Sequence, residues 1–147
     1  MAALFGVTGG VGGFTFVYAR GGSYLGNDPA ACANCHVMRE HLEAWTKSSH
    51  RSVATCNDCH TPHELLGKYA VKARNGLLHS VAFTTGDFPD PLRIKPGNLT
   101  VAEQNCRRCH AALVDDIDRL DAAPAGAHGA DQPLSCTACH KHVGHPR

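Results

Sequence analysis

The sequence predicts a mostly α-helical and irregular fold. A single N-terminal transmembrane helix, within residues 1–25, should precede a small domain, residues 26–147, organised round bound prosthetic groups instead of an apolar core. Three observations predict it. Residues 2–19 carry no charge. The 147 residues hold 8 Cys and 11 His but only 6% aromatic side chains, too few for an ordinary core. No strand-like alternation of apolar and polar residues appears, while 15 Gly and 8 Pro favour irregular chain. The formal charge of +1 provides no basic field, which argues against a nucleic-acid partner.

All eight cysteines fall in one pattern, Cys-x-x-Cys-His, repeated at 32–36, 56–60, 106–110 and 136–140. Cys32 and Cys35, Cys56 and Cys59, Cys106 and Cys109, and Cys136 and Cys139 are the pairs. The spacing is that of c-type haem attachment. Two thiols two residues apart reach the two vinyl groups of one porphyrin, and the following His sits under the iron. Zinc ribbons need no His after each pair, and a disulfide framework needs no such repeat. Four covalently bound haem c groups are expected. Their apolar discs supply the burial that the aromatics do not, so the chain should not fold without them. Covalent attachment of this kind places the domain outside the cytoplasm.

At about 1.5 Å per residue, a helix over Ala2–Ala19 covers about 27 Å, just short of a ~30 Å hydrocarbon core. Continuing to Leu25 admits only Arg20, which can snorkel beside Tyr18 and Tyr24. Gly6/Gly10 and Gly9/Gly13 form overlapping Gly-x-x-x-Gly faces. The rival is a signal peptide cleaved after Val17-Tyr18-Ala19, but no basic region precedes the run and its glycines make a poor signal core. A retained anchor is expected.

Beyond it the motifs form two pairs, separated by a 46-residue insert between Cys59 and Cys106. A helix is predicted from Glu64 to about Arg74, with Leu65, Leu66, Tyr69 and Ala70 on one side and Lys68 and Lys72 on another. Asn75-Gly76 should interrupt it. Leu77–Phe83 forms a second short apolar stretch, and Gly86–Pro91 a loop. Leu113, Ile117 and Leu120 recur at helical spacing, with Asp115, Asp116, Asp118 and Asp121 as a solvated face. Residues 122–133 read as a flexible loop.

The motif histidines are His36, His60, His110 and His140; His41, His50, His63, His79, His128, His142 and His145 remain as candidates for the irons' opposite faces. Met38 lies two residues after His36, and two extended residues span only about 7 Å. It therefore either packs as an apolar residue or replaces His36 on the same face of the iron. His145, five residues after His140, is better placed to ligate a neighbouring haem than its own.

Tyr24-Leu25-x-Asn27-Asp28-Pro29 ahead of the first motif, Met38, Trp45-x-x-Ser48-x-His50, Cys59-His60-x-Pro62-His63 and the terminal Cys139-His140-x-x-Val143-Gly144-His145 resemble the NapC/NirT/NrfH family of tetrahaem cytochromes c, and its NrfH branch most closely. The resemblance runs from the anchor to the end, apart from the 111–133 stretch. It implies a quinol dehydrogenase that passes electrons from (mena)quinol to a periplasmic pentahaem cytochrome c nitrite reductase. It also implies a single-pass inner-membrane location with the haem domain in the periplasm. In this branch the residue at Met38 ligates the first haem. His50 matches the distal ligand of the fourth haem and His145 that of the third. The second haem takes a Lys from the catalytic partner; in the isolated chain His63 could ligate it, but only three residues from His60 it meets the same limit of reach and is expected as a hydrogen-bonding neighbour of a haem. Lys72 matches a family Lys at the quinol site. The family's acid there falls on His79, a departure that makes an imidazole the candidate proton acceptor, with Asp28 next in line.

Cys32 follows the apolar run by only 13 residues, so the first haem should lie at the membrane surface, within reach of a lipid-soluble quinol. Met ligation raises an iron's potential and favours electron entry there. Lys68, Lys72 and Arg74 suit anionic headgroups of membrane lipid. The competing readings are a donor of the NapC kind serving another reductase, and a soluble multihaem shuttle. The shuttle requires a cleaved N-terminus and a distal His on every iron.

Overall fold

The computed structural model describes residues 1–121 and 135–145. Among these the chain is helical and irregular, without strands. The helices are α1 (Ala2–Tyr18), α2 (Pro29–Cys32), α3 (Arg39–Thr46), α4 (Cys56–His60), α5 (Leu65–Thr85), α6 (Pro96–Cys109), α7 (Ala111–Asp121) and α8 (Cys136–Cys139). The loop expected over 122–133, with His128, lies outside the described residues.

The N-terminal helix forms but is shorter than the expected transmembrane span. α1 has 17 residues, about 26 Å at the usual rise. Ala19 closes it, Arg20 turns into the left-handed region (φ 52°), and Gly21–Leu25 continues as a 3₁₀ turn. Among the described residues no helix is long and apolar enough to cross a membrane. Its apolar side chains, Phe5, Phe14 and Val17 among them, are exposed.

The break predicted at Asn75-Gly76 does not occur. α5 runs 21 residues straight through it. Gly costs about 1 kcal/mol in a helix and Asn less, which the flanking turns offset, and Asn98 Nδ2 donates to Asn75 Oδ1 at 3.2 Å. The helix ends where Gly86 takes a left-handed conformation (φ 76°) that closes a C-terminus cheaply. α7 forms where the Leu113/Ile117/Leu120 spacing places it.

The polypeptide alone buries little. Its accessible area is 11120 Å², against roughly 7,300 Å² for a compact protein of this mass. Among the described residues only Ala31, Ala102, Thr61 and Asn105 are buried. Polar links do the joining instead. α4 packs on α6, and α8 docks on α6 through Glu103. α5 grips the segment between α1 and the first Cys pair: Lys72 Nζ donates to the carbonyls of Tyr24 (2.7 Å) and Gly26, Lys68 Nζ to Asn27 Oδ1 (2.6 Å) and Tyr69 Oη to the Leu25 carbonyl (3.3 Å). Asn57, from the second motif, also donates to the Gly26 carbonyl (3.1 Å) and Asn27 Oδ1 (3.0 Å).

Candidate functional site

The four Cys-x-x-Cys-His motifs are not built alike. In the second the whole motif is helical, α4, closed by a capping box in which Asp58 Oδ2 accepts from Thr55 N and Oγ1, both at 2.7 Å. In the third and fourth, both cysteines lie in a helix and the His follows as its C-cap. The first breaks the pattern. α2 ends at Cys32, Cys35 is extended (φ −82°, ψ 115°), and His36–Met38 starts a separate 3₁₀ turn. His36 therefore does not continue from its cysteines as the other motif histidines do, and Met38 stands half-buried at the start of α3.

No two of the eight cysteines are joined to each other. Among the described residues no three or more Cys, His, Asp and Glu side chains gather within metal-binding reach of one another.

The histidines pair instead. The rings of His60 and His145 lie 5.8 Å apart, centroid to centroid, with planes within 11°. Those of His50 and His110 lie 6.1 Å apart at 66°. Metal–imidazole bonds of about 2.0–2.1 Å put two rings on opposite sides of one iron roughly 6 Å apart. Each pair is separated by about the distance that would admit an iron between the rings. Ser49 Oγ sits 3.4 Å from His50 Nδ1, leaving Nε2 for a metal. The family resemblance sets His145 opposite His110 and His50 opposite His140; the rings nearest to them here are those of His60 and His110 respectively.

His41 lies edge-on to His145 at 4.8 Å, with its Nδ1 buried and unpaired. Desolvation, reinforced by His145 and His41, pushes the His60 imidazole down to about 4, so it is neutral and able to offer a lone pair. His63 is tied up at the α4–α6 junction, between the Asp58 carbonyl (3.3 Å) and Arg108 Nη2, as a hydrogen-bonding residue would be.

Lys72 and His79 share one face of α5, about 10 Å apart along its axis. They do not converge. Lys72 points its ammonium at the 24–26 carbonyls, while exposed His79 has its pKa lowered by desolvation and by Lys95. Asp28, the next candidate base, caps α2 by accepting from Ala30 N at 2.9 Å.

Sequence reasoning missed Glu103 and Asn105, both on α6. Glu103 accepts from Ser135 Oγ (2.8 Å), Cys136 N (2.8 Å), and Thr137 N (3.0 Å) and Oγ1 (2.5 Å), which holds the fourth motif against the third. The Lys95-Pro96 start of α6 was the available signal, since Pro favours the first helical position.

The profile of the NapC/NirT cytochrome c family, N-terminal region, matches residues 1–147. The chain belongs to the NapC/NirT cytochrome c family. Family membership implies covalently bound haem c, which the paired thiols and paired imidazoles accommodate. Cytochrome c-type protein NrfH of Wolinella succinogenes is 41% identical over 128 residues, covering 84% of this chain and 71% of that protein. Cytochrome c nitrite reductase subunit NrfH of Nitratidesulfovibrio vulgaris is 31% identical over 116 residues, 79% of this chain and 66% of that one. The crystal structure of the cytochrome c nitrite reductase NrfHA complex bound to the HQNO inhibitor contains a chain that superposes with a TM-score of 0.67 at 28% identity, over 99% of this chain and 91% of that one.

Proposed function

We propose that this cytochrome is a membrane-held quinol dehydrogenase of the NrfH kind, which oxidises menaquinol and delivers the electrons to a periplasmic cytochrome c nitrite reductase. The likeness to a chain of the NrfHA complex over 99% of the length carries the reading. Four haems are held by the four thiol pairs. When bound they supply one-electron carriers, which quinol oxidation needs because it releases two electrons and two protons.

The chain's own residues divide the work. His60 with His145, and His50 with His110, are the imidazole pairs that would hold the irons of the second and third motifs. In this arrangement His145 would supply within the chain a ligand that the resemblance assigns to a Lys of the partner. Met38 would ligate at the first motif, where the break after α2 frees the chain from the geometry of the other three. Lys68, Tyr69 and Lys72 hold the 24–27 segment so that the first motif stays beside α1, whose exposed apolar side chains would seat the chain at the membrane. His79, neutral because its pKa is depressed, accepts a proton. The quinol site lies at this junction of α1, α2 and α5, and the fourth motif faces the reductase.

Extraction of the native protein from membranes tests the reading directly. The chain should require detergent and co-purify with a multihaem nitrite reductase, and the pair should reduce nitrite with menaquinol analogues. A freely soluble protein that begins at residue 20, with no such partner, would replace the proposal with the shuttle reading.

A further inference from the structure

Asn105 is one of the few buried residues, and both hydrogens of its amide are committed across the α4–α6 junction. Nδ2 donates to the carbonyls of Cys59 (3.0 Å) and Thr61 (2.9 Å). These two carbonyls bracket His60 in the chain. They lie at the C-terminal end of α4, where carbonyls have no partner within the helix. Thr61, itself buried, braces the same turn by donating Oγ1 to the Asn57 carbonyl at 2.8 Å. On the other side, Asn105 directly precedes Cys106, the first thiol of the third motif. One side chain thus ties the backbone on both sides of one iron-binding histidine to the residue that begins the next haem-binding motif. The contact is 46 residues long in sequence for the Cys59 link and 44 for the Thr61 link.

We infer that Asn105 is a positioning residue for electron transfer between the haems of the second and third motifs. It fixes the His60 imidazole relative to Cys106, and so sets both the orientation of the His60–His145 pair and the spacing of the two irons. The transfer moves one electron, oxidising one iron as the other is reduced, with no atom or proton exchanged. An amide is suited to this place. Its two coplanar hydrogens reach two carbonyls at once, where a hydroxyl has one hydrogen and a carboxylate none. An apolar side chain of the same size would fill the space but leave both carbonyls unpaired and the His60 turn free to rotate.

The inference rests on haem occupying these motifs, so haem content is read first. Mass spectrometry of the full-length wild-type holoprotein should show the covalent haems; their absence would defeat the functional proposal independently of Asn105. Asn105→Leu and Asn105→Gln are then compared with wild type by ferric EPR and by redox titration followed optically. In Asn105→Leu the low-spin signal of the near-parallel His60–His145 pair should shift, along with one midpoint potential, while the His50–His110 signal stays in place. Asn105→Gln keeps the donor amide on a longer stem and should bring the signal back towards wild type. Identical spectra and potentials in all three proteins would overturn the inference. So would a uniform change of every haem, or loss of haem from both variants, either of which would make Asn105 a folding residue only.

Discussion

The imidazoles of His60 and His145 face each other at 5.8 Å with planes only 11° apart, although 85 residues separate them (145 − 60). The second pair, His50 and His110, is crossed at 66°. Ring angle governs the splitting of the iron d orbitals in a bis-imidazole haem: parallel rings give a rhombic ferric signal, and crossed rings one dominated by a single large g value. The oxidised protein should therefore show one low-spin species of each kind. His145→Ala should abolish the rhombic species and leave the other intact. Loss of the large-g species from that variant would restore the pairing of His145 with His110.

Met38 and the broken first motif lead to a separate expectation. Met38→Ala should change the optical and EPR signature of one haem, distinct from both species above, and lower the potential of that haem, because Met ligation raises it. If Met38 only packs against α3, all haem signals should persist and thermal stability alone should fall, by about 1–3 kcal/mol for a half-buried Met.

Lys72 offers a test of holding against proton steering. Its ammonium bonds to the Tyr24 and Gly26 carbonyls, and desolvation and Lys68 lower its pKa. Charged hydrogen bonds contribute about 1.5–3 kcal/mol when buried, which exposure here reduces to about 1. Lys72→Met should release the 20–28 segment to proteolysis and slow quinol-dependent haem reduction together. Slower reduction with unchanged proteolysis would give Lys72 a role at the quinol itself.

Much of this was legible in the sequence, for definite reasons. The thiol spacing declares haem chemistry because the porphyrin fixes it, and Leu113, Ile117 and Leu120 declare α7 because a helix needs one apolar stripe. The partners of the distal histidines have no such local rule. His50 and His145 carry no local signal of which motif they face; that depends on how α3, α4 and α6 pack. Asn75-Gly76 misled because two poor helix formers cost little within 21 residues. Glu103 and Asn105 were invisible because neither belongs to a motif, and their partners lie 32 to 46 residues away.

Glu103 should make the docking of the fourth motif sensitive to acid. Its carboxyl falls to about 2 because the donors Thr137, Ser135 and Cys136 N outweigh the desolvation that opposes them. A carboxylate depressed in the folded state contributes stability that is fully present above its unfolded value of about 4.3 and is lost as pH falls through the folded value. The window is therefore about pH 4.5 down to 2. With part of the group in water, the contribution is about 1–2 kcal/mol. Glu103→Gln should remove that pH dependence, lower stability near neutral pH, and loosen α8 first, seen as faster amide exchange at Cys136 and Thr137.

His79 carries the sharpest functional expectation. Desolvation first, and then Lys95, lower its pKa, so the imidazole is neutral and able to accept a proton at neutral pH. Quinol-dependent reduction should hold steady through neutral pH and fall only as acid protonates His79, below the ordinary histidine value of about 6.5. His79→Ala should slow that reduction by about 10²-fold or more if it is the general base. Reduction by dithionite needs no quinol site and should be unaffected. If quinol oxidation survives the change at full rate, the acceptor lies elsewhere, and Asp28 at the head of α2 is the next residue to replace. Asp28 also caps that helix, so Asp28→Asn, which keeps a capping oxygen while removing the base, separates the two roles.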